Sequence, residues 1–426
     1  MIRNERGFSL VELMITMVIF VLVIMASSQI FTALLTQFKQ QSTIAETNIE
    51  GVVGLDILRR DLAHAGFGLP WVMNGATYTE AVAESGQTFW VDRELNDGPP
   101  NNPIRGADQG DPVSNPPAAF RTLNGDCNDS TNLNSSTTPG IHDGATGSKT
   151  PKTCADVLAI KSTNVAMNDA AQRWSYITNR GSWNTIMSWG TGNDAPQNND
   201  FISIIAPIDG ANQHSLKWTS GSAAWTTYGD SISPAPADNS FDTYVIYGLG
   251  NDATPKRPFN RADYYVKRPA SGMPSRCAPH TGILYKAFLN QSNGLHTETP
   301  LLDCVIDFQV EFQFDASVPA TSCWQPVPPS GDKICNDISH LTAADIRGPL
   351  GQPPALREVR VYIVAQEGRR DTSYDFSREA VSTIEMLGTQ SQTRPFVNLK
   401  NAVGDPEYKY YRWKLYTLTV KPTNLR

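Results

Sequence analysis

Side chains able to do chemistry are scattered along this 426-residue chain. The six histidines, at 64, 142, 214, 280, 296 and 340, form no H-E-x-x-H or similar zinc pattern. No G-x-S-x-G elbow, P-loop or dinucleotide fingerprint is present either. Enzymatic activity, a bound metal and a cofactor are therefore not expected. Asn124, Asp126, Asn128 and Asp129 offer oxygens in the manner of a calcium loop. The glycine and the distal glutamate that such a loop needs are missing, so an Asn/Asp-rich turn is the better reading. Cys127, Cys154, Cys277, Cys304, Cys323 and Cys335 contain no C-x-x-C pair. An even number of widely spaced cysteines fits disulfides made in an oxidising compartment, against the alternative of buried free thiols. Six cysteines allow 15 pairings. Short loops close at the lowest entropic cost, which favours 127–154, 277–304 and 323–335. Trp174, Trp183, Trp189, Trp218 and Trp225 lie among Ser, Thr, Gly and Asn. They are either packing residues or a platform for glycans or a partner protein.

The most informative ionisable residue is Glu12. It stands at the start of a long apolar run, and residues 13–38 carry no formal charge. That run exceeds the roughly 20 apolar residues that cross a bilayer as a helix. Arg3 and Arg6 precede it, so the positive-inside rule puts the N-terminus in the cytoplasm and everything after about residue 39 outside. A cleaved signal peptide would have a shorter apolar core. Ala26-Ser27-Ser28 imitates a cleavage site, but the apolar pattern continues past it. A carboxylate inside such a span costs about 2.5–3.5 kcal/mol when central, so Glu12 needs a partner.

Gly7-Phe8-Ser9-Leu10-Val11-Glu12-Leu13 resembles the prepilin motif of type IV pilins and type II secretion pseudopilins. The resemblance implies that a prepilin peptidase cuts after Gly7 and methylates the new N-terminal Phe8. It also implies that Glu12 meets the N-terminal amine of a neighbouring subunit. Physical chemistry agrees with such a contact, because opposite charges in a low-dielectric filament core are costly to leave unpaired. The implied partners are the peptidase, the inner-membrane assembly machinery and other pilins, with the membrane as host before assembly.

These residues need a long helix to carry them. No proline occurs before Pro70, and Val52, Leu55, Leu58, Leu62 and Ala65 recur at helical spacing. Gly66-Phe67-Gly68-Leu69-Pro70 is a stop signal. The expected rod over residues 8–66 is about 85 Å long at 1.5 Å per residue, locally softened at Gly51 and Gly54. Residues 92–150 read as long loops. Strand patterns follow at 156–161, 200–207, 243–249, 263–267, 282–288, 304–314, 357–366 and 411–421. Ile306, Phe308, Val310, Phe312 and Phe314 alternate with Asp307, Gln309, Glu311 and Gln313, which predicts a half-buried strand with one core face. No amphipathic helices alternate with these strands, so the fold class is α+β, a helix packed on an antiparallel sheet.

The net charge of −7 argues against nucleic-acid binding, which wants a basic stripe. The first seven residues hold a net +1, so the remainder carries −8. Lys256-Arg257 and Arg268 do not amount to a basic patch. Leu58-Arg59-Arg60-Asp61-Leu62-Ala63-His64-Ala65-Gly66-Phe67-Gly68 looks like the helix end of PilW-type minor pilins. Asp303-Cys304-Val305-Ile306-Asp307-Phe308-Gln309-Val310 is similar to their central strand, and Val359-Arg360-Val361-Tyr362-Ile363 and the stretch from Tyr416 to Leu425 to their last strands. The expected organisation is a leader at 1–7, the helix at 8–66 and an extracytoplasmic head at 67–426. A loop-rich insertion at 71–260 matches no known pattern. The resemblance implies a minor pilin that initiates or caps pilus assembly with the major pilin and other minor pilins. It would move from the inner membrane to a surface pilus. A tip adhesin on a pilin stem and a type II secretion pseudopilin are the alternatives.

Overall fold

The fold is taken from a computed structural model. It describes residues 9–80, 95–97, 113–125, 141–143, 153–166, 168–178, 186–187, 195–206, 216, 224–229, 243–251, 255, 257–315, 324–327, 332–336, 338, 341–348, 355–377 and 397–425. Helix α1 (Leu10–His64) is continuous over 55 residues, about 82 Å. Ser9 precedes it in an extended conformation and Ala65 closes it. Gly66 and Gly68 then adopt positive φ, at 82° and 71°, and turn the chain onto the head. The carbonyl of Ala63 accepts from both the amide and the hydroxyl of Thr423, each at 3.0 Å, so the C-terminal segment satisfies the helix end.

Among the described residues the head contains two sheets. The larger, ten-stranded sheet has as its spine β1 (Phe120–Leu123), β3 (Val157–Lys161), β9 (Arg261–Arg268), β10 (Gly282–Leu289) and β11 (His296–Phe314). Beyond β11 it continues through β14 (Leu356–Glu367) to β15 (Arg412–Val420). β13 (Asp332–Cys335) and β12 (Trp324–Val327) extend it from the last turn of β11. All these pairings are antiparallel; β2 (His142–Asp143) joins β9 in parallel. The second sheet runs β5 (Ile186–Met187), β4 (Trp174–Thr178), β8 (Thr243–Gly250), β6 (Phe201–Ile205) and β7 (Thr226–Thr227). The chain is thus α+β and pilin-like, one long N-terminal helix on antiparallel sheets. The segment from 71 to 260 supplies both a sheet of its own and three strands of the main one, β1, β2 and β3. Phe67 joins the two layers, stacking edge-on against Tyr247 at 5.1 Å.

One strand differs from its pattern. β11 is buried on both faces from Val305 to Phe312, with Asp307 at 0%, Gln309 at 2% and Glu311 at 2% exposure. A second layer of chain covers its polar side and uses it for hydrogen bonds. Asp307 Oδ2 accepts the amide of Val397 at 2.9 Å, and Gln309 Nε2 donates to the Cys154 carbonyl at 2.7 Å. Asp156 fills the edge of β11 between its partners β10 and β13. Its amide donates to the Phe308 carbonyl at 2.7 Å, and its carboxylate accepts the Val310 amide at 2.8 Å. The alternation therefore marks two buried environments, one apolar and one hydrogen-bonded.

Candidate functional site: the N-terminal helix and its seat on the head

Gly7 and Phe8 lie outside the described residues. Glu12 is in the first turn of α1 and exposed, and its Oε2 accepts the Ser9 amide at 3.0 Å. A carboxylate there satisfies an otherwise orphaned N–H and meets the positive end of the helix dipole. Among the described residues no cation is paired with it. From Leu10 to Phe38 the helix is solvent-exposed all round, with Phe20 at 65% and Phe38 at 69%. It is long and apolar enough to cross a membrane. This surface can be satisfied by lipid or by neighbouring helices, and the single acid at its start can take up one cation.

The upper part of α1 is seated on the sheet through Gly51, Gly54, Leu58, Asp61, Leu62 and Ala65. Val52, placed on this face by sequence periodicity, is 66% exposed. The buried stripe is offset because its lower positions are glycines, which an apolar pattern does not count. Those glycines are contact points rather than soft spots. A Cβ at Gly54 would stand 2.4 Å from the Leu301 carbonyl oxygen, and one at Gly51 would stand 3.4 Å from the Tyr416 hydroxyl. Helix and β11 approach as closely as backbone allows.

Above the glycines sits a buried ion pair that the sequence reading missed. Lys286 Nζ of β10 pairs with Asp61 Oδ2, and the Tyr264 hydroxyl of β9 donates to the same oxygen at 2.5 Å. Asp61, Lys286 and Tyr264 are 4%, 2% and 0% exposed. Burial pushes the Lys286 ammonium down, and the Asp61 charge opposes this without cancelling it. The Tyr264 phenol is pushed well up, by burial first and then by Asp61. A signal existed, since Asp61 lies three residues beyond Leu58 on the buried stripe of an otherwise charged helix end.

A larger buried network ties the region after α1 to the main sheet. Asp97 pairs with Arg121 at 2.7 Å and Lys161 at 2.6 Å, and accepts the Ala118 amide at 2.9 Å. Lys161 also pairs with Glu80, whose other oxygen accepts the Asp97 amide. Burial alone would raise the Asp97 carboxyl, but Lys161 and Arg121 bring it down to about 2. Glu80 is raised, because burial there outweighs Lys161.

Cys277 and Cys304 form a disulfide with an S–S distance of 1.97 Å, one of the three nearest-neighbour pairs expected. Cys154 and Cys335 are also disulfide-bonded, so none of the four described cysteines is a free thiol. Cys127 and Cys323 lie outside the described residues, and the 127–154 and 323–335 pairings with them. Asn124 is described, whereas Asp126, Asn128 and Asp129 are not. Of the five tryptophans, Trp174 is 41% exposed beside Tyr176, and Trp225 packs edge-on against Phe201 at 5.0 Å. Trp183, Trp189 and Trp218 lie outside the described residues. His296 Nε2 meets Asp263 at 3.1 Å. Among the described residues no three His, Cys, Asp or Glu side chains gather as a metal site.

Residues 2–28 match the prokaryotic N-terminal methylation motif, which supports a type IV pilin-like or pseudopilin-like prepilin. That class of protein is structural. Neither the comparison with curated proteins nor that with solved structures gives a match.

Proposed function

We propose that this protein is a minor pilin, cut by prepilin peptidase between Gly7 and Phe8 and built into a filament through α1. Hydrolysis of that peptide bond leaves a carboxylate on Gly7 and a new amine on Phe8, which then takes a methyl group from a separate methyl donor and releases a proton. The amine keeps its positive charge, and Glu12 of a neighbouring subunit is its counter-ion. The observation that carries this reading is Glu12 at the head of an apolar helix exposed all round from Leu10 to Phe38, inside the matched methylation motif. In the membrane the helix anchors the subunit, with the N-terminus cytoplasmic and the head outside. In the filament the same apolar surface packs on other helices.

The large head, with its second sheet, supports a position at the filament tip as part of an initiating complex of the PilW type, since a bulky subunit fits poorly in a repeating shaft. The exposed Trp174 favours a second reading, an adhesive head on a pilin stem. Intact mass of the protein, from cells with and without the peptidase, tests the processing. The expected mature form begins at methylated Phe8 and requires the enzyme. A chain that retains residues 1–7, or is cut near Ala26, would falsify the proposal.

A further inference from the structure

The lower rim of the head stands where lipid headgroups begin, if residues 13–38 span a bilayer as proposed above. Lys39 is the first charge beyond the apolar run. The turn at Gly368 meets α1 at Ile44, where a Cβ at Gly368 would lie 2.8 Å from the Ile44 side chain. Five residues of helix separate the two levels, about 8 Å. The headgroup layer on each side of the hydrocarbon core is of similar thickness, about 5–8 Å. The top of the helix seat, where Gly66 meets Leu425, is about 33 Å further up the helix axis.

The rim has the chemistry of an interface. It consists of the turn that follows β14, residues 368–376, packed on residues 407–412. Asp371 N–H donates to the Tyr410 carbonyl at 2.8 Å, and Phe376 N–H to that of Lys409 at 2.9 Å. The Arg412 guanidinium lies 4.4 Å over the Tyr374 ring, and that of Arg370 lies 4.6 Å over Tyr410. Arg370 also pairs with Glu407, and Arg412 with Asp371. Arg369 and Lys409 have no acidic partner among the described residues, against one such acid, Asp375. Tyrosines at a membrane-proximal rim suit the polar–apolar boundary, and arginine recognises phosphate oxygens in a planar fork.

We propose that this rim is a collar that rests on the phospholipid headgroups, with Arg369 and Lys409 bound to lipid phosphate and Tyr374 and Tyr410 at the boundary. The collar sets the tilt of the head on the membrane before the subunit enters a filament. It has no role in the cleavage or methylation of the N-terminus.

The test places one nitroxide in the full-length protein, at Phe20→Cys, Thr372→Cys or Ala344→Cys, in vesicles carrying a nickel chelate on the headgroup. Phe20 reports insertion, and Ala344, whose neighbours Ala343 and Arg347 lie beside Gly66 and Leu425, reports the top of the helix seat. The collar predicts relaxation enhancement at 372 at least several-fold above that at 344, lowered when Arg369→Glu and Lys409→Glu are added. Enhancement in both phosphatidylcholine and phosphatidylglycerol vesicles identifies phosphate as the ligand; enhancement in phosphatidylglycerol alone identifies net surface charge and overturns phosphate as the ligand. Equal values at 372 and 344 with residue 20 shielded in lipid overturn the collar and leave the anchor intact. An effect at 372 that appears only as protein is crowded in the bilayer assigns the rim to a neighbouring subunit and overturns it too. A residue 20 outside the lipid removes the spanning helix, and the collar with it.

Discussion

Asp61 and Lys286 are two charges withdrawn from water between helix and sheet, with Tyr264 completing the hydrogen bonding of the carboxylate. Such a pair adds little against an apolar pair of equal volume, but removal of one partner strands the other. Lys286→Met is expected to destabilise the head by about 3–5 kcal/mol in urea unfolding, and the double variant Asp61→Leu/Lys286→Met by clearly less. Equal losses in the single and the double variant would show that packing volume, not charge, is at stake. Glu12 is a contrasting case. It is exposed, its contact among the described residues is the Ser9 amide, and the proposed function gives it a counter-ion on another subunit.

Helix α1 carries two jobs on two lengths of one element. Its lower part is apolar on every side and is satisfied only by lipid or other helices. Its upper part is seated on β11 through glycines. Gly54→Ala normally favours a helix, by about 1 kcal/mol. Here the added methyl would meet the Leu301 carbonyl, and overpacking of this kind costs about 1–3 kcal/mol. A net fall in thermal stability is expected for Gly54→Ala, while Val52→Ala on the exposed face changes stability by less than about 0.5 kcal/mol. A stabilised Gly54→Ala would mean that helix and sheet do not approach as described. β11 shows the same principle in a strand, with carboxylates and amides on one face that are held under a second layer rather than given to water.

Across the whole molecule, the Asp97 network holds the segment after α1, the strands β1 and β3 and residue Arg257 in one assembly. Asp97 is at about 2 when folded and near the usual carboxylate value when unfolded. Its contribution is therefore complete above about pH 4 and lost as the pH falls toward 2. Glu80 is raised on folding and works in the opposite sense, so the head as a whole is not a clean probe. The expected outcome is that the stability difference between wild type and Asp97→Asn shrinks by about 2 kcal/mol between pH 5 and pH 2, read by denaturant titration at each pH. A difference independent of pH would place the effect in hydrogen bonding alone.

Local chemistry decided the parts of this protein that were legible in sequence. The apolar stem, the Gly66-to-Pro70 stop, the main strands and the α+β class all follow from short-range pattern, because apolar runs, breakers and alternation act within a few residues. The centre of the proposed function lies in the same stretch, from Gly7 to Glu12. Tertiary structure alone decided which face of α1 is seated, since Gly51 and Gly54 acquire meaning only from Leu301 and Tyr416 at more than 240 residues' separation. It decided as well that Asp307, Gln309 and Glu311 lie inside, because burial of a polar residue depends on partners that arrive from Cys154 and Val397. The second sheet and the rim near Ile44 belong to the same category. Their strands are short or their residues ordinary, and only long-range pairing gives them a place.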